Sequence, residues 1–185
     1  MIKRMRLPVT VLLLAVIVAS VSPSLALAAS RRELERDAAR ALQSLYANNT
    51  AARLLSGKAK AVLVFPKIVK AGFMFGGQVG DGVLMRKGRP VGYYNSLAAS
   101  YGFQAGIQVF GYALFFMNDA ALAYLDKSNG WEIGVGPSIV IVDAGVGRSL
   151  TSTTITQDVY AFIFDQKGLM AGLGIQGSKI SKISM

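Results

Sequence analysis

Tyr101, Phe103, Ala105, Ile107 and Val109 alternate with Gly102, Gln104, Gly106 and Gln108. A period of two sends successive side chains to opposite faces, so this stretch is a strand with one apolar face and one small, polar face. The pattern returns at Leu169, Ala171, Leu173 and Ile175, with Gly172, Gly174 and Gln176 between them. All twenty glycines lie in residues 57–177. They make up about 13% of the 157 residues after Ala28, against a usual ~7%. Glycine at that density among alternating apolar residues means strands joined by tight turns and broken by bulges.

The rest of the chain is read around those strands. Ser30-Arg31-Arg32-Glu33 has the capping-box form and opens a helix. Leu34, Ala38, Ala41, Leu42 and Leu45 make its apolar face, and it ends near Asn48-Asn49. A second helix, Ala51 to Ser56, starts from Thr50 and stops at Gly57. Ala61 to Phe65 is an apolar strand closed by Pro66, and Phe73 to Val79 is a glycine-broken one. Val83 to Arg86 and Val91 to Tyr94 flank Lys87-Gly88-Arg89-Pro90 as a hairpin. Phe110 to Met117 is apolar throughout, which predicts burial on both faces. Asn118 caps a helix over Asp119 to Asp126. Ile133 to Val142 and Thr151 to Thr156 read as strands. Val159 to Phe164 and Leu169 to Ile175 flank Asp165-Gln166-Lys167-Gly168 as a second hairpin. The expected fold is α+β, with about eight strands and three helices. Its N-terminal amphipathic helices pack on a large, glycine-rich, mainly antiparallel sheet or partial barrel.

The first 28 residues have the three parts of a cleavable signal peptide. Lys3, Arg4 and Arg6 precede an apolar run from Val9 to Val21, and Ala26-Leu27-Ala28 supplies the small residues before a cut after Ala28. Pro23 and the Ala-x-Ala site argue for cleavage over an uncleaved anchor. The leader has no Arg-Arg pair, which favours general secretion over the twin-arginine route, and no cysteine for lipid attachment at the cut. The expected product is one domain, residues 29–185, periplasmic or secreted, with peripheral membrane association open to it.

The chain has neither cysteine nor histidine. That removes disulfides, Ser–His and Cys–His catalysis, and the usual zinc ligands. Asp143, Asp158 and Asp165 sit at strand ends, where turn carboxylates are ordinary. Gly76-Gly77-Gln78-Val79-Gly80-Asp81-Gly82 lacks the Gly-Lys-Ser/Thr ending and the following helix of a phosphate loop. No enzyme, metal site or cofactor is expected.

Charge carries more information. The net charge is +10, of which the leader holds three. Residues 31–89 contain twelve Lys/Arg against four Asp/Glu, a net +8, and residues 90–185 contain five against six, a net −1. An asymmetry of this kind points to an anionic partner for the first half. For an exported chain that partner is a membrane surface or envelope polymer rather than nucleic acid. The candidate contacts are Arg32, Arg36 and Arg40, four apart on the first helix, with Lys58, Lys67, Lys70, Arg86, Lys87 and Arg89. Each Lys or Arg near an anionic bilayer is worth about 1 kcal/mol, so four to six together give useful binding. The first helix combines such a stripe with an apolar face, as interfacial helices do. That face is equally suited to packing on the sheet.

Val62-Leu63-Val64-Phe65-Pro66, Lys70-Ala71-Gly72-Phe73, Gly76-Gly77 and Gly80-Asp81-Gly82-Val83 resemble the opening motif of the SYLF domain. The resemblance continues through Ala105-Gly106, Phe116-Met117-Asn118, Ala121-Leu122, Gly130-Trp131-Glu132-Ile133-Gly134 and Phe164 to Gly172, and ends near Gly177-Ser178-Lys179-Ile180. It covers roughly residues 33–183. It implies non-catalytic binding of phosphoinositides and other anionic lipids, with actin bundling in some members. Lys70 matches the motif lysine, and the basic N-terminal helix matches the membrane-contacting segment of eukaryotic members. Tyr93-Tyr94-Asn95-Ser96 stands where those members carry Trp-Ser-x-Pro, and so resembles the exported bacterial branch. That branch meets no actin and little phosphoinositide. The expected partners are therefore anionic phospholipids such as phosphatidylglycerol, cardiolipin or lipid A, and actin is not expected. The alternative is an envelope protein-interaction or structural module whose Gly/Gln strand faces pack on a protein partner. A hydrolase using the three aspartates is the third reading.

Overall fold

The computed structural model describes residues 23–127, 131–132, 137–142 and 155–185. Helix α1, Pro23–Asn48, leads into the short α2, Thr50–Ser56. Two long strands follow, β1, Ala61–Arg86, and β2, Arg89–Phe116. After α3, Asp119–Lys127, come the short β3, Trp131–Glu132, and β4, Ile139–Ile141, then the long β5, Val159–Ile183. The sheet order is β1-β2-β5-β3, with β4 pairing β5 in parallel and the other pairs antiparallel. The α+β expectation, with helices first and a mainly antiparallel partial barrel, holds.

The three long strands have 26, 28 and 25 residues. A straight strand of 26 would run roughly 85 Å, whereas a domain of this size has a radius of gyration of about 15 Å. The sheet must therefore curl. Register shifts let it do so, at Phe65/Ile68, Phe73/Phe75 and Leu84/Met85 in the β1–β2 ladder and at Val109/Gly111 in the β2–β5 ladder. Extra residues on one strand of a pair bend it and increase its twist.

One end of the sheet is covered on both faces. Val62, Val64, Ala113, Phe115, Tyr160 and Phe162 face α1 and α2, and pack with Ala38, Leu42, Leu45, Ala51, Ala52 and Leu55. The alternate residues Leu63, Phe65, Tyr112, Leu114 and Phe116 face α3 and its Ala121, Leu122 and Leu125. This double cover is why Phe110 to Phe116 reads as an uninterrupted apolar run. Farther along the strands one face opens to solvent, and the sequence there alternates.

Several local expectations change. The strands expected at 61–65, 73–79 and 83–86 are one strand, because Pro66 sits at a bulge rather than a terminus. The hairpin expected around Asp165 to Gly168 is no reversal. β5 runs straight through and stays paired with β2, with Asp165 and Gln166 opposite Phe110 as a bulge. Asp165 and Gly168 take the positive φ values of 51° and 87° that turn residues favour, but spend them on a kink. The helix does not begin at Ser30. It starts at Pro23, because Leu25 to Ala29 are good helix formers that continue it upstream. Asn49, not Thr50, caps α2, its Oδ1 accepting from the Ala52 amide at 3.0 Å.

The Lys87-Gly88 turn, by contrast, is as expected, both residues having positive φ between β1 and β2. Asn118 caps α3 by accepting from the Ala121 amide at 2.8 Å. Residues 1–22, 133–136, Asp143 and 151–154 lie outside the described residues; of the strands expected over 133–142 and 151–156, Ile139–Ile141 is strand and 155–156 are not.

Candidate membrane-contacting surface

The apolar face of α1 is spoken for. Ala38, Leu42 and Leu45 are buried against the sheet, with Leu34 and Ala41 packed beside them. Burying a leucine contributes about 1.5–3 kcal/mol, so this face holds the domain together and is not available for insertion into lipid. The interfacial-helix reading is thereby corrected. The exposed basic side of α1 remains.

Two contacts with a single aromatic side chain fix that side relative to the hairpin. Tyr93 of β2 donates its hydroxyl to the Glu35 carboxylate, and the Arg31 guanidinium lies 5.3 Å from the Tyr93 ring centroid. Burial pushes the Tyr93 hydroxyl pKa up, helped by the bond to Glu35 and its charge, while Arg31 opposes the rise. The hydroxyl therefore stays protonated and keeps donating. Sequence reasoning overlooked this pair. Its signal was the Tyr93-Tyr94 doublet at a position where strand alternation allows only one ring inward.

With α1 so held, Arg32, Arg36 and Ala39, with Glu35 engaged by the Tyr93 hydroxyl, face Met85, Gly88 and Pro90 across an open groove of about 610 Å³. A second groove, of about 530 Å³, shares Ala39, Met85 and Gly88 and continues past Lys87 to Gly57. Together they form one furrow between α1 and the β1–β2 turn. Arg32 and Arg36 stand on one bank and Lys87 on the other. Arg89 is exposed beside that turn, and Lys58 is exposed next to Gly57 at the far end. Residues more than fifty positions apart are thus brought together.

The other predicted residues lie elsewhere or are engaged. Arg40 pairs with Asp37 on α1. Arg86 is 3.9 Å and Lys60 3.6 Å from the Asp119 carboxylate. These pairs are exposed and worth little, so they leave the basic character largely intact. Lys67 lines a separate groove with Glu33, Asp37 and Asp81, an acidic neighbourhood unsuited to an anion. Lys70 lies on the inner face of the sheet, directly opposite Gln108 in the β1–β2 register.

Of the three candidate aspartates, the described Asp158 and Asp165 are not brought together. Asp158 accepts from Asn118 Nδ2 at 2.7 Å, from the Ser138 amide at 3.1 Å and from Ser138 Oγ at 3.0 Å. These bonds hold its carboxyl below the usual carboxylate range and tie α3 to β4 and β5. Asp165 sits in the β5 bulge. The glycine-rich segment 76–82 is continuous strand, with no helix following it.

A large exposed apolar patch accompanies these features. Phe73, Phe75, Ile107 and Leu169 are 75%, 69%, 62% and 88% exposed. Ala71, Ile107 and Leu169 stand side by side across β1, β2 and β5, and Phe73 and Ala105 form the next row of the β1–β2 ladder.

No curated protein matches the chain. The family model described as "Ysc84: Las17-binding protein actin regulator" matches residues 97–184. The match takes in β5, α3 and most of β2, while the Val62 to Val83 motif lies before it. This is a family linked to actin regulation and lipid binding, whose members are generally non-catalytic binding modules. Residues 97–184 thus carry a match to the Ysc84 (SYLF) domain family.

Proposed function

We propose that this protein is a non-enzymatic module that binds the surface of anionic phospholipid membranes, in the cell envelope and after removal of residues 1–28. The observation that carries the reading is the furrow, where Arg32 and Arg36 of α1 meet Lys87 of the β1–β2 turn. Arg89 and Lys58 extend the same basic surface. Lys67 and Lys70, which also matched the charge pattern, are left out of the contact. Five such cations at about 1 kcal/mol each account for attachment with a Kd of roughly 0.2 mM that salt reverses.

The test is co-sedimentation of residues 29–185 with vesicles, at low and high salt. Vesicles of phosphatidylcholine alone are compared with vesicles containing phosphatidylglycerol or cardiolipin. Binding to anionic vesicles only, released by salt, supports the reading. Absence of binding under every condition overturns it. A parallel pelleting assay with filamentous actin is expected to leave the protein in the supernatant.

A second reading has its own support. The exposed patch of Phe73, Phe75, Ile107 and Leu169 favours a protein partner of the envelope, since an apolar patch of this kind marks an interaction surface. Attachment through it would be insensitive to salt.

A further inference from the structure

Ser96, Gln108, Phe110 and Tyr112 of β2 come together around one cavity. With Lys70 opposite Gln108, they line an open-sided cavity of about 290 Å³ on the inner face. The basic furrow does not use it, and none of the expectations from sequence accounts for it.

The floor of the cavity carries buried polar groups beside Phe110, Lys70 and Gln108 stand part-buried above them, and the exposed rim carries isoleucines beside Gln166. Gln78 and Ser96, at 8% and 2% exposure, are the buried polar side chains of the described residues, and both line it. Tyr112 is 8% exposed, and its hydroxyl has no hydrogen bond among the described residues. Burial alone pushes its pKa up. A buried hydroxyl without a partner is costly, and a ligand atom at that place would repay the cost. Among the described lining residues Lys70 is the sole charged one, with Gln108 and Gln166 beside it. At the mouth, Ile141 and Ile163 are 59% and 42% exposed, so the rim presents hydrocarbon to the outside.

A ligand fitted to this arrangement has an anionic head that enters first and a hydrocarbon tail that leaves past the isoleucines. The volume lies at the lower edge of small-molecule sites, which hold ~300–1,000 Å³. It takes a head and the first methylenes of one chain, and excludes a two-chain lipid. We infer that the inner cavity binds a single-chain anionic amphiphile, such as a medium-chain fatty carboxylate. Lys70 and Gln108 hold the head, Tyr112 donates to it, and Ile141 and Ile163 guide the tail.

The test is calorimetric titration of the purified protein with decanoate, below its micellar concentration, and with decanol. Decanoate is expected to bind about tenfold more tightly than decanol or better, the worth of one charge-assisted contact. Lys70→Met is expected to abolish the preference. Ile163→Glu, at an exposed position that tolerates the change, is expected to weaken decanoate about tenfold, through a like charge in its path. Equal affinity for the two ligands overturns the proposal, as does a preference that survives Lys70→Met. If Lys70→Met fails to fold, Ile163→Glu decides alone, and unchanged decanoate binding by that variant overturns it. Vesicle co-sedimentation of both variants is expected to match the unmodified protein, so failure of the furrow and failure of the cavity are told apart.

Discussion

Tyr94 of β2 donates its hydroxyl to the Asp126 carboxylate of α3 at 3.0 Å, and Lys182 of β5 reaches the same oxygen at 3.2 Å. Three elements far apart in sequence meet at one carboxylate. The Tyr94 ring is buried at 1% exposure. Its hydroxyl is held protonated by burial, and by the bond to Asp126 and its charge. Tyr94→Phe keeps the ring and removes the bond. It is expected to lower unfolding free energy by about 1.5 kcal/mol, the lower end for a bond to a charged group because Asp126 is half exposed. Urea denaturation with an unchanged m-value is the measurement.

For the furrow, simultaneous Arg32→Gln, Arg36→Gln, Lys87→Gln and Arg89→Gln is expected to lower affinity for anionic vesicles by about 4 kcal/mol, or roughly a thousandfold. Circular dichroism should be unchanged, since these side chains are exposed. Lys67→Gln should leave vesicle binding within twofold, because its groove is lined by Glu33, Asp37 and Asp81. An equal loss from Lys67→Gln would show that net charge, rather than the furrow, governs attachment.

Asp158 gives a pH dependence with a definite sign. Its folded pKa is depressed by the bonds from Asn118 and Ser138, so the unfolded chain takes up the proton more readily. The stabilisation is fully present above the unfolded value, near 3.9, and is lost as pH falls through the lower folded value. Between pH 6 and about 3, the melting temperature of the unmodified protein is expected to fall further than that of Asp158→Asn. At pH 6 the variant should be the less stable of the two.

Two glycines with positive φ are expected to answer alanine differently. Gly88 has φ +75° with open space around it, so Gly88→Ala carries only the left-handed penalty of about 1–2 kcal/mol. Gly168 has φ +87°, and a Cβ there would collide with the Ile107 carbonyl of the neighbouring strand. Backbone cannot yield as a side chain can, so Gly168→Ala is expected to cost more than 3 kcal/mol, combining strain with overpacking. Thermal unfolding of the two variants side by side checks the ranking.

The apolar patch separates the two readings of function. Leu169→Ser and Phe73→Ser, at 88% and 75% exposure, are expected to change stability by less than about 0.5 kcal/mol and to leave salt-sensitive vesicle binding in place. Loss of attachment to isolated envelopes, with vesicle binding intact, would favour a protein partner.

Much of the local structure was legible from residue patterns. The Lys87-Gly88 reversal, the Asn118 cap and the doubly buried run from Phe110 each follow from contacts within a few positions. The β5 bulge was not legible, for a physical reason. Asp165-Gln166-Lys167-Gly168 has the composition of a turn, and whether such a segment reverses or kinks depends on β2 beside it. There Val109 pairs with Lys167 and Gly111 with Phe164, and continuous pairing wins. The same limit governs the site. Charge counting found the cations, but the curl decides that Lys70 turns inward while Arg32 and Lys87 converge. A bulge exchanges the faces of every residue beyond it, so parity cannot be carried from one end of such a strand to the other.

The order β1-β2-β5-β3 leaves β1 with one side unpaired among the described residues. Twenty-six residues of open backbone would ordinarily invite a neighbouring molecule to add a strand, the first step toward a fibril. Pro66 removes a donor from that margin, Lys67 and Lys70 bring charge to it, and Met74, at φ 60°, breaks its line. The irregularities that bend the sheet also divide its free margin into pieces too short to template another chain. The described margin is thereby guarded against edge-to-edge polymerisation.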